Sequence, residues 1–268
     1  METTIQTRQF GDLQVSVFHD EWADCPCNWD LAALYLFEYS DSRRLHRDCN
    51  WKEIADEKCT LQEALVRLVN HNVEWKRILR YIKQGKCGNI FLRYDRSRNL
   101  WQLKEEGVTQ TYTLGEYTPY ELENDSFSWE ILGNLDQDKL IRILRDLGKD
   151  IYVCEFSTSG YCQGDYCEGV AFCTKKRYEK YVSKDTKDWK QKIQTIISGE
   201  LKCLEKWMWS DVLGYTLEEK VHFTKTYDDG TTVDAYEWQE IETVCGIYEE
   251  ADEIFSNVIS THTPRVTA

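Results

Sequence analysis

The chain has 268 residues, a formal net charge of −14, a mean hydropathy of −0.60 and an aromatic content of 13%. This length can bury a real core in one large domain or two modest ones, and the aromatic content excludes a disordered chain. The longest apolar run, residues 31–37, is too short to span a bilayer, and residues 1–9 lack the apolar stretch of a signal peptide. We therefore expect a soluble cytoplasmic protein. The negative charge argues against direct binding to nucleic acid.

The first predicted elements are two strands and a helix. Residues 13–18 alternate between apolar and polar side chains, which predicts a strand, and the apolar run 31–37 predicts a second one. Thr60 and Glu63 have the spacing of a capping box, so a helix is expected to begin near Leu61.

Helical character continues over residues 73–82 and is expected to stop at Gly85. Residues 89–94 and 100–103 predict a hairpin. Residues 109–128 are polar and Tyr-rich, and we expect loop with short strands there. A helix over residues 136–147 should end at Gly148.

The second half combines strands and helices in the same mixed style. The expected strands are 151–156, 169–173, 212–217 and 232–241, the last two flanking a turn at Asp228-Asp229-Gly230. The expected helices are 175–182, 188–207 and 249–258. Because these elements do not alternate as βαβ units, the pattern predicts an α+β fold of antiparallel sheets with flanking helices. A boundary near Gly148 would divide it into α+β regions 1–148 and 149–268.

Charge is segregated along the chain. Residues 226–253 contain ten acidic residues and no Lys or Arg, interleaved with Tyr and Trp. One interpretation is a solvated acidic face that maintains solubility. The other is a surface that docks on a basic partner, where acidic charge steers the encounter and aromatic rings anchor it. The candidate partner-binding residues are Asp228, Asp229, Asp234, Tyr236, Glu237, Trp238, Glu240 and Glu242.

Two basic segments, residues 76–98 and 175–192, permit the opposite hypothesis. Arg93, Arg96 and Arg98, with Trp101 beside them, have the chemistry to contact phosphates or stack on a base. The overall negative charge favours another interpretation, in which these basic faces pair with the acidic C-terminal region within one chain or between copies.

The chain contains 11 cysteines, an odd number that is expected to remain reduced in the cytosol. The candidate ligands of a structural zinc ion are Cys25, Cys27, His46 and Cys49, although their spacing is not the common Cys-x2-Cys pattern. A second candidate quartet is Cys154, Cys162, Cys167 and Cys173. Ordinary core or loop thiols are the simpler interpretation of both sets, so no cofactor is the main expectation.

One short pattern matches metal-dependent nucleases. Asp211, Glu218 and Lys220 form an Asp-x6-Glu-x-Lys string on a predicted strand, where carboxylates can hold Mg²⁺ and the lysine can stabilise charge. The sequence contains no Gly-x-Ser-x-Gly, Walker-type, His-Glu-x-x-His or Gly-x-Gly-x-x-Gly motif. A non-enzymatic protein is therefore the expectation.

Parts of the chain resemble a family of uncharacterised proteins encoded by bacteriophages and prophages. The matching segments are Cys27-Asn28-Trp29-Asp30-Leu31, residues 151–157, 160–168, 169–173 and 175–181, Ser210 to Tyr215, and Cys245-Gly246-Ile247-Tyr248-Glu249. Residues from about 50 to 146 have no counterpart in the family and are interpreted as an insertion. The resemblance implies a phage accessory protein that blocks a host defence complex, such as Gabija, a restriction nuclease or a CRISPR nuclease. It carries over no functional residue.

The expected function is therefore that of a phage protein that binds and inhibits a host defence protein or nuclease in the host cytoplasm, through its acidic and aromatic surface. The first alternative is a metal-dependent enzyme that processes nucleic acid. The second is a structural protein that self-associates into a homo-oligomer through its own opposite charges.

Overall fold

A computed structural model describes residues 4–26, 29–40, 60–159 and 166–262. The fold is α+β, as the sequence predicts: this part of the chain contains eight α-helices and three antiparallel sheets. None of its helices combines the length and the apolar character needed to cross a membrane.

The strands are β1 (Thr4–Phe10), β2 (Leu13–His19), β3 (Leu34–Ser40), β4 (Ile90–Asp95), β5 (Leu100–Glu106), β6 (Thr111–Tyr117), β7 (Ile151–Ser159), β8 (Tyr166–Thr174), β9 (Leu213–Thr226) and β10 (Thr232–Ile247). The α-helices are α1 (Leu61–Asn72), α2 (Trp75–Lys83), α3 (Pro119–Glu123), α4 (Ser128–Gly133), α5 (Gln137–Leu147), α6 (Lys175–Tyr181), α7 (Trp189–Met208) and α8 (Ala251–His262). A 3-10 helix (Asp125–Phe127) precedes α4.

The described residues fall into two compact units that are interleaved along the chain. Residues 4–26 and 202–262 belong mainly to the first, which holds the sheet β1-β2-β9-β10 and helix α8. Residues 29–40, 60–158 and 166–201 belong to the second, which holds the sheets β3-β8-β7 and β4-β5-β6. Each unit therefore draws on residues from both sides of Gly148, where the sequence suggests a boundary.

The second unit is built around α1, whose start is the predicted capping box. The Thr60 hydroxyl accepts a hydrogen bond from the Glu63 backbone N–H (3.2 Å), and the Glu63 carboxylate accepts one from the Thr60 N–H (2.9 Å). The face predicted from helical spacing is buried and comprises Leu61, Ala64, Leu65 and Leu68. It packs into a large apolar core with α2, α5 and the buried residues of β4, β5, β7 and β8.

The predicted hairpin is also present, as β4 and β5, and β6 adds a third strand to it. β6 carries mostly polar side chains, and α3 and α4 have only five and six residues, so hydrophobic periodicity does not mark them in the sequence. Residues 109–128, expected to be loop with short strands, contain the strand β6 but also helix α3 and the 3-10 helix, which the sequence does not predict.

In the first unit, β2 has the predicted alternation, in which apolar side chains point toward the core. Val15 and Val17 are fully buried and form a core with Leu217 of β9 and Phe255 of α8. β1 lies at the sheet edge with mostly exposed side chains, so no apolar pattern marks it in the sequence. β9 and β10 extend well beyond the strands predicted for them, and the extra length forms the surface described next.

Candidate partner-binding surface

β9 and β10 form a two-stranded ribbon that extends beyond the rest of their sheet. β2 pairs with β9 only as far as Leu13 opposite Glu219, whereas β9 and β10 stay paired to Thr226 opposite Thr232. The extension, residues 220–238, together with the next two residues of β10, is called the ribbon below (residues 220–240). The seven residue pairs of the extension cover about 20 Å at the usual rise of a strand. A two-stranded hairpin this long has solvent on both faces, and most ribbon side chains are indeed exposed.

The tip of the ribbon is the predicted turn. The Tyr227 N–H donates to the Thr231 carbonyl and the Gly230 N–H to the Tyr227 carbonyl, both at 2.9 Å. The hydroxyl and the backbone N–H of Thr231 also donate to the Asp229 carboxylate, and these hydrogen bonds lower the pKa of Asp229. The carboxylate of Asp229 therefore stays ionised at the outermost point of the ribbon.

One face of the ribbon carries aromatic rings. Tyr236 is 55% exposed, and its ring lies 6.3 Å from that of Trp238 and 6.1 Å from that of His222, centroid to centroid. The Lys220 ammonium lies 4.1 Å from the centre of the Tyr236 ring, a cation–π distance. These contacts hold Tyr236 and Trp238 side by side on a half-open surface.

The predicted partner-binding residues divide among three places. Asp228 and Asp229 lie at the tip, and Asp234, Tyr236, Trp238 and Glu240 share the aromatic face because they alternate along one strand. Glu237 points to the opposite face. A bulge between Glu240 and Glu242 turns Glu242 toward the core side of the sheet, away from the aromatic face.

Glu242 already has partners within its own unit. Its carboxylate accepts a hydrogen bond from the Tyr215 hydroxyl (2.7 Å) and lies 3.5 Å from Nε2 of His262. These side chains line a cleft of about 410 Å³ against α8, with Ile247, Ile254 and Val258 among its apolar residues. Burial and the contact with Glu242 raise the pKa of Tyr215 to about 12, so the phenol keeps its proton, and its hydrogen bond to Glu242, to a higher pH than an ordinary tyrosine would. Glu242 therefore belongs to this cleft between the sheet and α8, and not to the exposed surface of the ribbon.

The other acidic residues of the 226–253 stretch lie at the start of helix α8. Glu250 pairs with Lys206 (2.6 Å) and Asp252 with Arg8 (2.5 Å), while Glu253 lies in the first turn of the helix. Negative charge near a helix N-terminus is stabilising because it faces the positive end of the helix dipole. On the ribbon itself, Lys220 and Lys225 of β9 reduce the negative charge. The acidic surface is thus smaller than the linear run of acids implies.

The opposite face of the ribbon is an apolar surface that sequence reasoning missed. Val221, Phe223, Val233 and Ala235 share it through the pairing of β9 with β10. Phe223 is 42% and Val233 is 51% exposed. The signal is present in the sequence as apolar residues at alternate positions in 221–223 and 233–235, but each run is only three residues long.

Only one of the four predicted zinc ligands lies within the described residues. Cys25 is buried, whereas Cys27, His46 and Cys49 lie outside the described residues. In the second quartet, Cys162 also lies outside them. Cys167 and Cys173 are six residues apart on β8, about 20 Å along a strand, so they cannot bind one ion. Burial raises the pKa of Cys173 to about 11. No group of three or more metal-ligating side chains forms within the ranges the structure describes.

The nuclease-like string is not assembled into a site. Asp211 precedes β9 instead of lying on a strand, and its side chain is exposed. Glu218 and Lys220 do share one face of β9, but Glu218 accepts a hydrogen bond from Gln14 (3.0 Å). The five strand steps between Leu213 and Glu218 already span about 17 Å, too far for Asp211 and Glu218 to share a metal ion.

Two of the four residues predicted to contact nucleic acid, Arg98 and Trp101, make contacts within their own unit, whereas Arg93 and Arg96 are exposed. Arg98 makes a bidentate contact with Glu116 of β6, both distances being 2.6 Å, and this contact lowers the pKa of Glu116. The ring of Trp101 packs against Tyr94 at 5.0 Å and lies beneath the Lys83 ammonium at 4.6 Å. Arg98 therefore pairs with an acid of its own unit, and Trp101 is already covered on two sides.

A second acidic stretch, residues 105–138, has nine acidic residues and no Lys or Arg. It lies in the second unit and carries two exposed rings, Tyr120 (73%) and Trp129 (49%). From the sequence, residues 109–128 of this stretch are recognisable only as polar and Tyr-rich. This stretch can serve as a control for the ribbon, because it also combines acidic residues with exposed aromatic rings but carries some of them on short helices.

No protein-family model, curated protein or solved structure matches this chain.

Proposed function

We propose that this protein is a non-enzymatic binding protein whose ribbon docks on a basic surface of another protein. The observation that carries the proposal is the ribbon itself, a hairpin that extends past its sheet and exposes Tyr236 and Phe223 among acidic residues, with Trp238 half-buried beside Tyr236. Large apolar side chains exposed on a protruding element are typical of an interaction surface.

The acids and the rings have different tasks in this proposal. Asp228, Asp229, Asp234, Glu237 and Glu240 give the ribbon an excess of negative charge, which accelerates the encounter with a positive partner. Tyr236 and Trp238 supply contact area at low conformational cost once the surfaces meet. The apolar face with Phe223 and Val233 adds a second contact area on the same element.

The partner class follows from the resemblance to phage-encoded proteins. A host defence complex that acts on nucleic acid has a basic surface for its substrate, and an acidic ribbon docked there would occlude it. We therefore propose a nuclease or other nucleic-acid-binding component of a Gabija, restriction or CRISPR complex as the partner, in the host cytoplasm.

The experiment is affinity capture of a tagged protein from a bacterial host that carries such systems, followed by identification of stoichiometric partners. Replacing Asp228, Asp229, Asp234 and Glu237 together by Lys is expected to reduce recovery of the partner at least tenfold, because the steering charge is reversed. A matched control makes the same charge change at exposed acids of the second unit, Glu123, Asp125, Glu130 and Glu179. Equal loss in both variants would show that net charge, and not the ribbon, determines binding.

A further inference from the structure

β10 is an edge strand along its whole length. The sheet order is β1-β2-β9-β10, and no other strand in the described residues pairs with β10. It has 16 residues, compared with 7 for β1 at the other edge. An exposed edge of this length presents unpaired backbone groups to which another chain can add as a strand.

The direction of the backbone groups follows from two hydrogen bonds. The Lys220 N–H donates to the Asp12 carbonyl (2.8 Å), on the side of β9 that faces β2. Because backbone groups alternate in direction along a strand, the odd-numbered residues of β9 bond to β10. At the tip, the N–H of Tyr227, which is also odd-numbered, likewise points toward the β10 side and donates to the Thr231 carbonyl. The N–H and C=O groups at the free edge of β10 therefore belong to Asp234, Tyr236, Trp238 and Glu240.

We propose that the edge of β10 from Asp234 to Glu240 binds an extended basic segment of the partner as an added antiparallel strand. This inference rests on the proposed function and specifies how the ribbon docks. Asp234, Glu237 and Glu240 stand at every third position. Residues directly opposite one another in an antiparallel pair have neighbouring side chains. The matching segment therefore carries Lys or Arg at every third position.

The residues between the acids specify the rest of the segment. Tyr236 and Trp238 lie on one face between Asp234 and Glu240, and aromatic rings pair well with β-branched or aromatic side chains across strands. The segment is thus basic at its first, fourth and seventh residues and β-branched or aromatic at its third and fifth.

Charge disfavours a second copy of this chain as the occupant. Antiparallel pairing of two β10 edges centred on Glu237 would place Asp234 opposite Glu240 and Glu237 opposite its own copy. Like charges directly opposite one another are destabilising. A basic segment removes this repulsion at all three positions.

The test uses the full chain and a labelled heptapeptide with Lys at positions one, four and seven, Val at three and five, and Thr at two and six. Its control has the same composition with the three Lys residues contiguous. Two variants at Tyr236 distinguish the contribution of the backbone N–H from that of the aromatic ring. Tyr236→Pro and Tyr236→Thr both remove the ring, but only proline removes the outward N–H. Proline at this position leaves the bonds between β9 and β10 intact, because the Tyr236 N–H does not point to β9.

Fluorescence anisotropy should show that the spaced peptide binds more tightly than the contiguous one. Tyr236→Pro should weaken its binding about tenfold relative to Tyr236→Thr, as expected for a lost hydrogen bond and a blocked edge. In the unaltered protein, the peptide should slow hydrogen exchange at the amides of Asp234, Tyr236, Trp238 and Glu240, a readout that does not depend on how well a variant folds.

Equal affinity for the two peptides or for the two variants would overturn the inference, as would unchanged exchange at the outward amides. Light scattering that shows a dimer which the peptide does not dissociate would assign the edge to a second copy and would also overturn it. These results leave the proposed function intact if charge reversal on the ribbon still abolishes partner capture. Capture that is unaffected by charge reversal contradicts the proposed function itself.

Discussion

The side chain of Asp20 accepts a hydrogen bond from the backbone N–H of Gly246 (2.9 Å), which joins the turn after β2 to the end of β10. Its other carboxylate oxygen accepts from the Trp22 N–H (3.0 Å), and its own N–H donates to the Val212 carbonyl (2.8 Å). Gly246 has a φ of +71°, a conformation that suits glycine. Asp20, which is only 9% exposed, thus joins the start of β9 to the end of β10, at the end of the two strands far from the tip of the ribbon.

We expect Asp20→Ala to destabilise the protein by about 2 kcal/mol, because two backbone N–H groups would lose a charged acceptor. Chemical denaturation measures the difference in the free energy of unfolding. Asp24→Ala is the control, since Asp24 is exposed and the Tyr248 hydroxyl donates to its backbone carbonyl, which the substitution retains. A similar loss of stability in both variants would contradict this role of Asp20.

The tip of the ribbon should be locally sensitive to a change at Gly230, whose φ is +81°. Gly230→Ala places a side chain in the left-handed region, which costs about 1 kcal/mol. Because the ribbon extends beyond the sheet, we expect faster amide exchange in residues 220–240 and little change in the global melting temperature. Asp228→Ala changes the same turn without requiring a positive φ and serves as the control. A large drop in melting temperature for Gly230→Ala would show that the ribbon is part of the cooperative core.

Most long elements with a buried face could be predicted from the sequence, whereas β1, which has none, could not. Leu61, Leu65 and Leu68 mark α1 because they alternate with polar residues at the helical period and face the core. From Glu218 onward β9 has no buried side chain, and Lys220 and Lys225 flank only a short apolar alternation, so its predicted end at Leu217 was too early. The tip was still predictable, since Asp-Gly requires no tertiary contact to favour a turn.

The sequence predicts which residues form the candidate surface, but not which of their side chains share a face. The run of acids is visible in the chain, yet strand pairing places Lys220 beside Tyr236, and a bulge turns Glu242 away from the aromatic face. Such placements depend on register, which a linear charge count does not contain. The edge character of β10 is likewise a property of strand order, and residues distant in sequence determine it.

The capping box of α1 provides a stability test in the second unit. Thr60→Ala removes the hydroxyl that accepts from the Glu63 N–H, and the loss of such a cap costs about 1 kcal/mol. Thr60→Ser keeps the acceptor and should retain most of the stability. Thermal denaturation of the two variants checks the expectation, and equal melting temperatures for Ala and Ser would contradict it.

The last prediction concerns alkaline pH and the contact between Tyr215 and Glu242. Burial and the contact with Glu242 raise the pKa of Tyr215 from its ordinary value of 10.0 to about 12. The folded protein therefore retains a proton that the unfolded chain releases between these values. The stability that Tyr215 contributes is present below pH 10 and is lost as the pH rises through about 12.

Tyr215→Phe should flatten the fall in the free energy of unfolding over this pH range, because the group that titrates is absent. Glu242→Gln should lower the pKa of Tyr215, since it removes a nearby negative charge while the burial remains. Ultraviolet titration of the phenolate, taken as the difference between the protein and Tyr215→Phe, measures that pKa directly. Tyr227→Phe at the exposed tip is the control and should leave the pH dependence of stability unchanged. If Tyr215→Phe and Tyr227→Phe have the same pH profile, the contact with Glu242 does not contribute to alkaline stability.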